Sequence, residues 1–178
     1  MLRDVKLESL GFTREQLDSF RRELMEHDRD LLVKRLDDVT QRLSEVAPRV
    51  SEEAAADRRE WNAREVLAHV AVLSKFYGVA AKKIAEGEWE DFDLLTFVSQ
   101  RDVAGQQVSQ LPVSEIVRMV EADHRRTLDF IRGADVAALY RRARIGDGET
   151  MSAEEVVRLA LCAHLELHLQ QLLGALGE

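Results

Sequence analysis

Four stretches of this chain place apolar residues at every third or fourth position, the repeat of one helical face, and only two prolines interrupt the whole sequence. Both prolines, Pro48 and Pro112, fall where a stripe ends or begins. With Ala, Leu, Glu, Arg and Gln dominating, the pattern predicts an all-α fold, a four-helix bundle. Residues 1 to about 12 read as a leader closed by Gly11. Thr13 is the expected N-cap of the first helix, with Gln16 completing a capping box. That helix should run to about Ala47 along Leu17, Phe20, Leu24, Leu31, Leu32, Leu36, Val39, Leu43 and Val46. His27 falls where this stripe places an inward residue and is expected at the core or its boundary.

The second helix is expected from Asn62, with Glu65 at the third helical position, to about Glu86, where Gly87 stops it. Its inward stripe is Val66, His69, Leu73, Phe76 and Ala80. Ser114 is the expected N-cap of the third helix, whose stripe is Val117, Val120, His124, Thr127 or Leu128, and Ile131, ending at Gly133. Ser152 and Glu155 form a capping box for the fourth, which runs to about Leu176 along Val157, Leu161, His164, His168, Leu172 and Ala175. Residues 88–111 are the least periodic part, and a short helix fits within them. A connection that long lets the chain cross the bundle end, so that helices two and three run parallel in an up-down-down-up order. Residues 49–60 read as an acidic, solvated connection. In 134–150, Ala137–Tyr140 should pack on the core, and Gly146-Asp147-Gly148 is a turn. No repeat, low-complexity tract or second domain is visible, so 1–178 reads as one domain.

Histidines stand at several of the inward positions, and three of them point to chemistry. His164 and His168 stand four apart and share the apolar face of one helix. Burying two imidazoles without partners is costly. His69 lies on the inward stripe of another helix. Neutral imidazole is a common ligand for zinc, nickel and iron(II), and three such ligands leave a coordination position open, as catalytic sites do. His124 is a candidate fourth ligand or acid–base group. Glu65, one turn before His69, could orient an imidazole, although capping competes for it. Gln171, one turn after His168, could hydrogen-bond in the pocket. Glu166 lies between the two histidines but on the adjacent face, as a solvated or interhelical charge. Cys162 reads as a small core residue rather than a nucleophile. Trp61 should staple the second helix to the bundle and could wall the pocket.

Charge and cysteine count bound the setting. A net charge of −8 argues against nucleic acid as a bulk partner. One cysteine allows no internal disulfide, which fits a reducing compartment. No run approaches the ~18 apolar residues of a membrane span, and the acids near the N-terminus do not suit a signal peptide. The expectation is a cytoplasmic protein with a small-molecule substrate, no nucleic-acid or membrane partner, and room for a homodimer through an exposed helix face.

Trp61-Asn62-x-x-Glu65-Val66-Leu67-x-His69 resembles the second-helix signature of the DinB/YfiT-like superfamily, and His164-x-x-x-His168-x-x-Gln171 resembles its last-helix signature. The order of the three histidines and the long crossover match as well, over about Arg14 to Leu176. The resemblance implies a metal-binding, up-down-down-up bundle whose ligands would be His69, His164 and His168. The family implies several activities: S-transferases dependent on bacillithiol, mycothiol or glutathione, a mycothiol-dependent maleylpyruvate isomerase, and metal-dependent hydrolases. For this chain the leading expectation is a thiol S-transferase with zinc or nickel and a low-molecular-weight thiol as co-substrate. The alternatives are a metal-dependent hydrolase, a non-catalytic helical binding or stress-response protein, and a metal-free interaction bundle.

Overall fold

The first two helices begin where their caps place them. Thr13 accepts from the Gln16 backbone and its own N–H donates to the Gln16 side chain at 3.0 Å, opening α1 (Arg14–Val46). Asn62 and Glu65 repeat the arrangement at the start of α2 (Ala63–Glu86), which ends at Gly87 with φ +77°, a left-handed cap that favours glycine. In this computed structural model, residues 11–51, 61–92, 104–146 and 148–176 are described; the expected leader and the acidic connection lie largely outside them. Within the crossover, residues 104–108 are helical.

The third long helix, α3 (Val113–Gly133), corrects one expectation. Its N-cap is Pro112 rather than Ser114. The Pro112 carbonyl already accepts from the Ile116 N–H at 3.1 Å, so the helix is under way before Ser114 is reached. A short helix, α4 (Val136–Leu139), follows and buries Val136 and Leu139. The chain then forms a hairpin that the periodicity did not show. Strand β1 (Arg142–Arg144) pairs antiparallel with β2 (Thr150–Ser152), with Ala143 opposite Met151. Asp91 bridges to Arg144, which pins the start of the crossover against this hairpin. Ser152 ends β2 and caps α5 (Ala153–Glu155). A π-helical stretch, Val156–Ala163, carries the helix on into α6 (His164–Ala175).

Pairwise contacts establish the direction of each helix. Ser74 meets His124 and Gly78 meets Thr127, rising together, so α2 and α3 are parallel. Thr40 meets His124 while Ser44 meets Glu121, so α1 and α3 are antiparallel. His69 meets His168 while Tyr77 meets His164, so α2 runs against the last helix. The order is therefore up-down-down-up, and α1 and α2 each pack on both α3 and the last helix. Leu36, Leu67, Ile84, Ile116, Ile131, Leu161 and Leu172 are fully buried between them.

The N-terminal half of α1 departs from the expected core stripe. Phe20, Leu24 and Leu31 are exposed, as is His27, and burial begins at Leu32. The cause is length. At 33 residues α1 is about 50 Å long, against about 36 Å for the 24 residues of α2, so its first turns extend past the helices that would cover them.

His124 sits fully buried at the junction of α1, α2 and α3. Its ring nitrogens lie 2.7 Å from Thr40 Oγ1 and 2.8 Å from Ser74 Oγ. The Thr40 hydroxyl spends its one proton on the Leu36 carbonyl at 2.6 Å. His124 Nδ1–H must therefore donate to Thr40, and Nε2 accepts from the Ser74 hydroxyl. This neutral chain leaves no ring nitrogen for a ligand, so His124 is a satisfied core histidine. Burial lowers its pKa to about 4.

Two consequences can be measured. Between pH 6.5 and about 4 the unfolded chain holds a proton on His124 that the folded chain does not. Stability from this residue is therefore complete above pH 6.5 and lost as pH falls toward 4, by roughly 3 kcal/mol across the window. Urea midpoints for wild type and His124→Gln should converge by that order as the buffer is acidified. At Gly78, an added Cβ would stand 2.2 Å from Thr127 Oγ1. Gly78→Ala gains up to about 1 kcal/mol of helix propensity but overpacks the helix contact, for a net loss of about 1–2 kcal/mol in urea unfolding. Thr127→Ala in the same chain should recover most of it.

Candidate metal centre

Two helix segments bring three imidazoles together at one end of the bundle. α2 presents His69 two turns after its cap, half-buried. The last helix leaves its π-helical stretch at His164, and His168 follows one α-helical turn later, 6% exposed. Ring centroids are 4.2 Å apart for His164 and His168, 4.9 Å for His69 and His168, and 5.4 Å for His69 and His164. One ligand nitrogen from each of the three falls within 4.8 Å of the others.

The hydrogen bonds orient the pair on the last helix. His168 Nδ1 lies 2.6 Å from Gln171 Oε1, an acceptor, so Nδ1 carries the proton. His168 Nε2 then bears a lone pair, and it stands 2.9 Å from His164 Nε2. Burial holds the His168 pKa below the usual imidazole value, partly opposed by the Gln171 hydrogen bond. The neutral form is thus favoured, which is the form that binds a cation. In a tetrahedral site with metal–nitrogen bonds of about 2.0–2.1 Å, two nitrogens stand roughly 3.3 Å apart. The observed 2.9 Å between Nε2 atoms needs to open by only a few tenths of an ångström. The donor set suits zinc or nickel.

The other residues singled out from sequence divide clearly. Gln171 belongs to the cluster through His168. Glu65 serves the capping box at the start of α2. His124 is outside the cluster, in the three-helix hydrogen-bond chain. Trp61 does not staple its helix inward. It is 53% exposed, with its ring edge-on to His69 at 4.6 Å, so it stands at the rim of the cluster. Glu166 faces α1 and accepts from Arg35 Nε and Nη2, both at 2.7 Å. That fork pushes the Glu166 carboxyl below the usual carboxylate range. Cys162 is buried, and burial pushes its thiol up to about 12, so it stays protonated and inert near neutral pH.

Sequence reasoning missed three features here. Tyr77, whose ring centroid is 6.3 Å from that of His164, flanks the cluster on the α2 side. Its place one residue past the inward Phe76 is the only signal it carried. Arg35 is separated from Glu166 by 131 residues, and no local pattern pairs them. The π-helical stretch before His164 has no motif of its own.

No curated protein matches the chain significantly. Among solved structures, the crystal structure of the mycothiol-dependent maleylpyruvate isomerase shares the fold, with a TM-score of 0.66 at 15% sequence identity. The match covers 81% of this chain and 60% of that one, so the chain spans about three fifths of that protein's length. The family model of the DinB superfamily matches residues 24–172, a span that holds all three clustered histidines, and the chain belongs to that superfamily.

Proposed function

We propose that this protein is a metal-dependent enzyme, most concretely a low-molecular-weight-thiol S-transferase, with His69, His164 and His168 holding zinc or nickel. The observation that carries the reading is the convergence of three imidazole nitrogens from two helices within 4.8 Å, one of them fixed in its binding tautomer by Gln171. Membership in the DinB superfamily supports it, and the mycothiol named for the structural neighbour favours a thiol as co-substrate.

When bound, the metal supplies Lewis acidity that lowers the pKa of a coordinated thiol or water. The chain's own residues do the rest. Three protein ligands leave a position for an exogenous group. Gln171 keeps the His168 proton on Nδ1 and so keeps Nε2 available. Tyr77 flanks the cluster on one side, and Trp61 offers an exposed aromatic face to a substrate at the rim. The only thiol in the chain is buried and protonated, so a sulfur nucleophile would have to arrive with the co-substrate.

Metal content by inductively coupled plasma mass spectrometry is the first test. Wild type should carry close to one zinc or nickel per chain, or take it up on incubation. His164→Ala/His168→Ala should carry none, and His69→Ala should bind at least tenfold more weakly. Uptake should weaken as the buffer is acidified through the imidazole range, because protonated imidazole does not ligate. Absence of metal from wild type after incubation with both ions would end this reading.

Thiol dependence is tested on the metal-loaded protein with an activated aryl halide and, in turn, bacillithiol, mycothiol and glutathione. Mass spectrometry should show a thioether conjugate that is missing without thiol and lost in the double-histidine variant. A metal-dependent product that forms equally without thiol would reassign the chemistry to hydrolysis.

A further inference from the structure

The helix that carries His164 and His168 reaches them through a widened turn. Residues Val156–Ala163 are π-helical and end where His164 begins. The burial pattern records the change of pitch. Val156 and Leu161 are buried, as are Val157 and Cys162, two steps of five, while Leu159 between them is 55% exposed. A π-bulge amounts to about one extra residue in an α-helix, and such turns are rare because the wider ladder is less favourable. Reverting to α-helix would rotate everything downstream by about 100°, one residue's step. His164 and His168 would then no longer face His69.

Arg35 brackets this stretch from α1. Its Nη1 donates to the Arg158 carbonyl inside the π-helical turn at 3.3 Å, and its Nε and Nη2 fork the Glu166 carboxylate just beyond it. Glu166 is two residues from both histidines, so it projects from nearly the opposite side of the helix, farther round than the adjacent face expected of it. A fork on that side therefore holds the rotation of the imidazole face. Bidentate guanidinium–carboxylate pairs are directional as well as strong.

We infer that Arg35 is a positioning residue: by spanning Arg158 and Glu166 it holds the π-helical register that aims His164 and His168 at His69. The consequence for metal affinity rests on the proposed function above; the consequence for ring positions does not. The full chain is tested with two readouts. One needs no metal: nuclear Overhauser contacts between the His69 and His168 rings in histidine-labelled protein. The other is nickel affinity by calorimetry.

Arg35→Met should stay helical by circular dichroism, lose or weaken the ring contacts, and bind nickel about tenfold more weakly. Arg35→Lys keeps the charge but loses the fork, and should fall between; it carries the test if the methionine variant does not fold. The exchanged pair Arg35→Glu/Glu166→Arg restores an ion pair and should regain part of the contacts that Arg35→Glu alone loses. Ring contacts kept in Arg35→Met overturn the inference whatever the nickel affinity. A wild type that binds neither nickel nor zinc, beside an Arg35→Met chain that loses the contacts, sinks the metal reading and leaves the register inference standing.

Discussion

The rotational phase of one helix decides what this bundle can do. His164 and His168 sit on the last helix and His69 on α2, and neither element alone offers more than two imidazoles. Packing makes that phase costly to change. Leu161, Leu165, Leu169 and Leu172 are buried on the same helix, so turning the histidines away would also pull these side chains out of the core. Apolar burial and imidazole convergence thus share one solution. The Arg35–Glu166 fork acts on the far side of the same helix, where burial gives less direction.

Histidine meets two opposite fates in this core. His124 finds a hydroxyl on each side, and both of its nitrogens are consumed in a neutral chain that joins three helices. His164 and His168 instead turn their Nε2 atoms toward each other, 2.9 Å apart. Two nitrogens facing one another make one hydrogen bond, here with His168 Nε2 as acceptor, and a cation would take that proton's place and be met by a lone pair from each ring once His164 carries its proton on Nδ1. The distinction lies in the neighbours. Thr40 and Ser74 complete His124 with hydroxyls, while His168 is completed by Gln171 at one end and by the His164 ring, a second imidazole, at the other. A stripe position reports that an imidazole points inward; it does not report which fate awaits it.

Much of the fold was legible because its signals are local. Three of the four caps, at Thr13, Asn62 and Ser152, are side-chain hydrogen bonds within three residues. The parallel pairing of α2 and α3 followed from the length of the crossover. The three clustered histidines stood on period-correct stripes. What failed to show depends on tertiary context. Phe20, Leu24 and His27 have the correct period, but nothing local says that α1 outruns its neighbours. Strands of three residues, with only Ala143 fully buried on β1, are too short for alternation to register. The π-helical turn was hidden because Leu159 and Ala160, which bridge its five-residue step, are themselves apolar and read as continuous stripe. The Ser114 cap was misplaced because Pro112 supplies the first helical acceptor through its backbone, which no side-chain rule reports.

The distribution of reactive groups narrows what chemistry the cluster can serve. A sulfur nucleophile from this chain would have to be Cys162, and burial keeps that thiol protonated up to about 12. It also stands on the stretch whose neighbouring charges, Arg35 and Glu166, already neutralise each other. The buried carboxylates Asp123 and Glu154 are engaged by Arg126 and Arg158 on their own helices. His124 is neutral and fully bonded. Each of these groups is therefore committed to holding the bundle. The cluster itself has its imidazoles, a tautomer fixed by Gln171, and aromatic rings at Tyr77 and Trp61. None of these groups is placed to attack a substrate at the cluster, so on the reading proposed above the attacking atom would enter from solution. That requirement is met by a thiol or by water, and it is why thiol dependence separates the readings that three imidazoles alone leave equal.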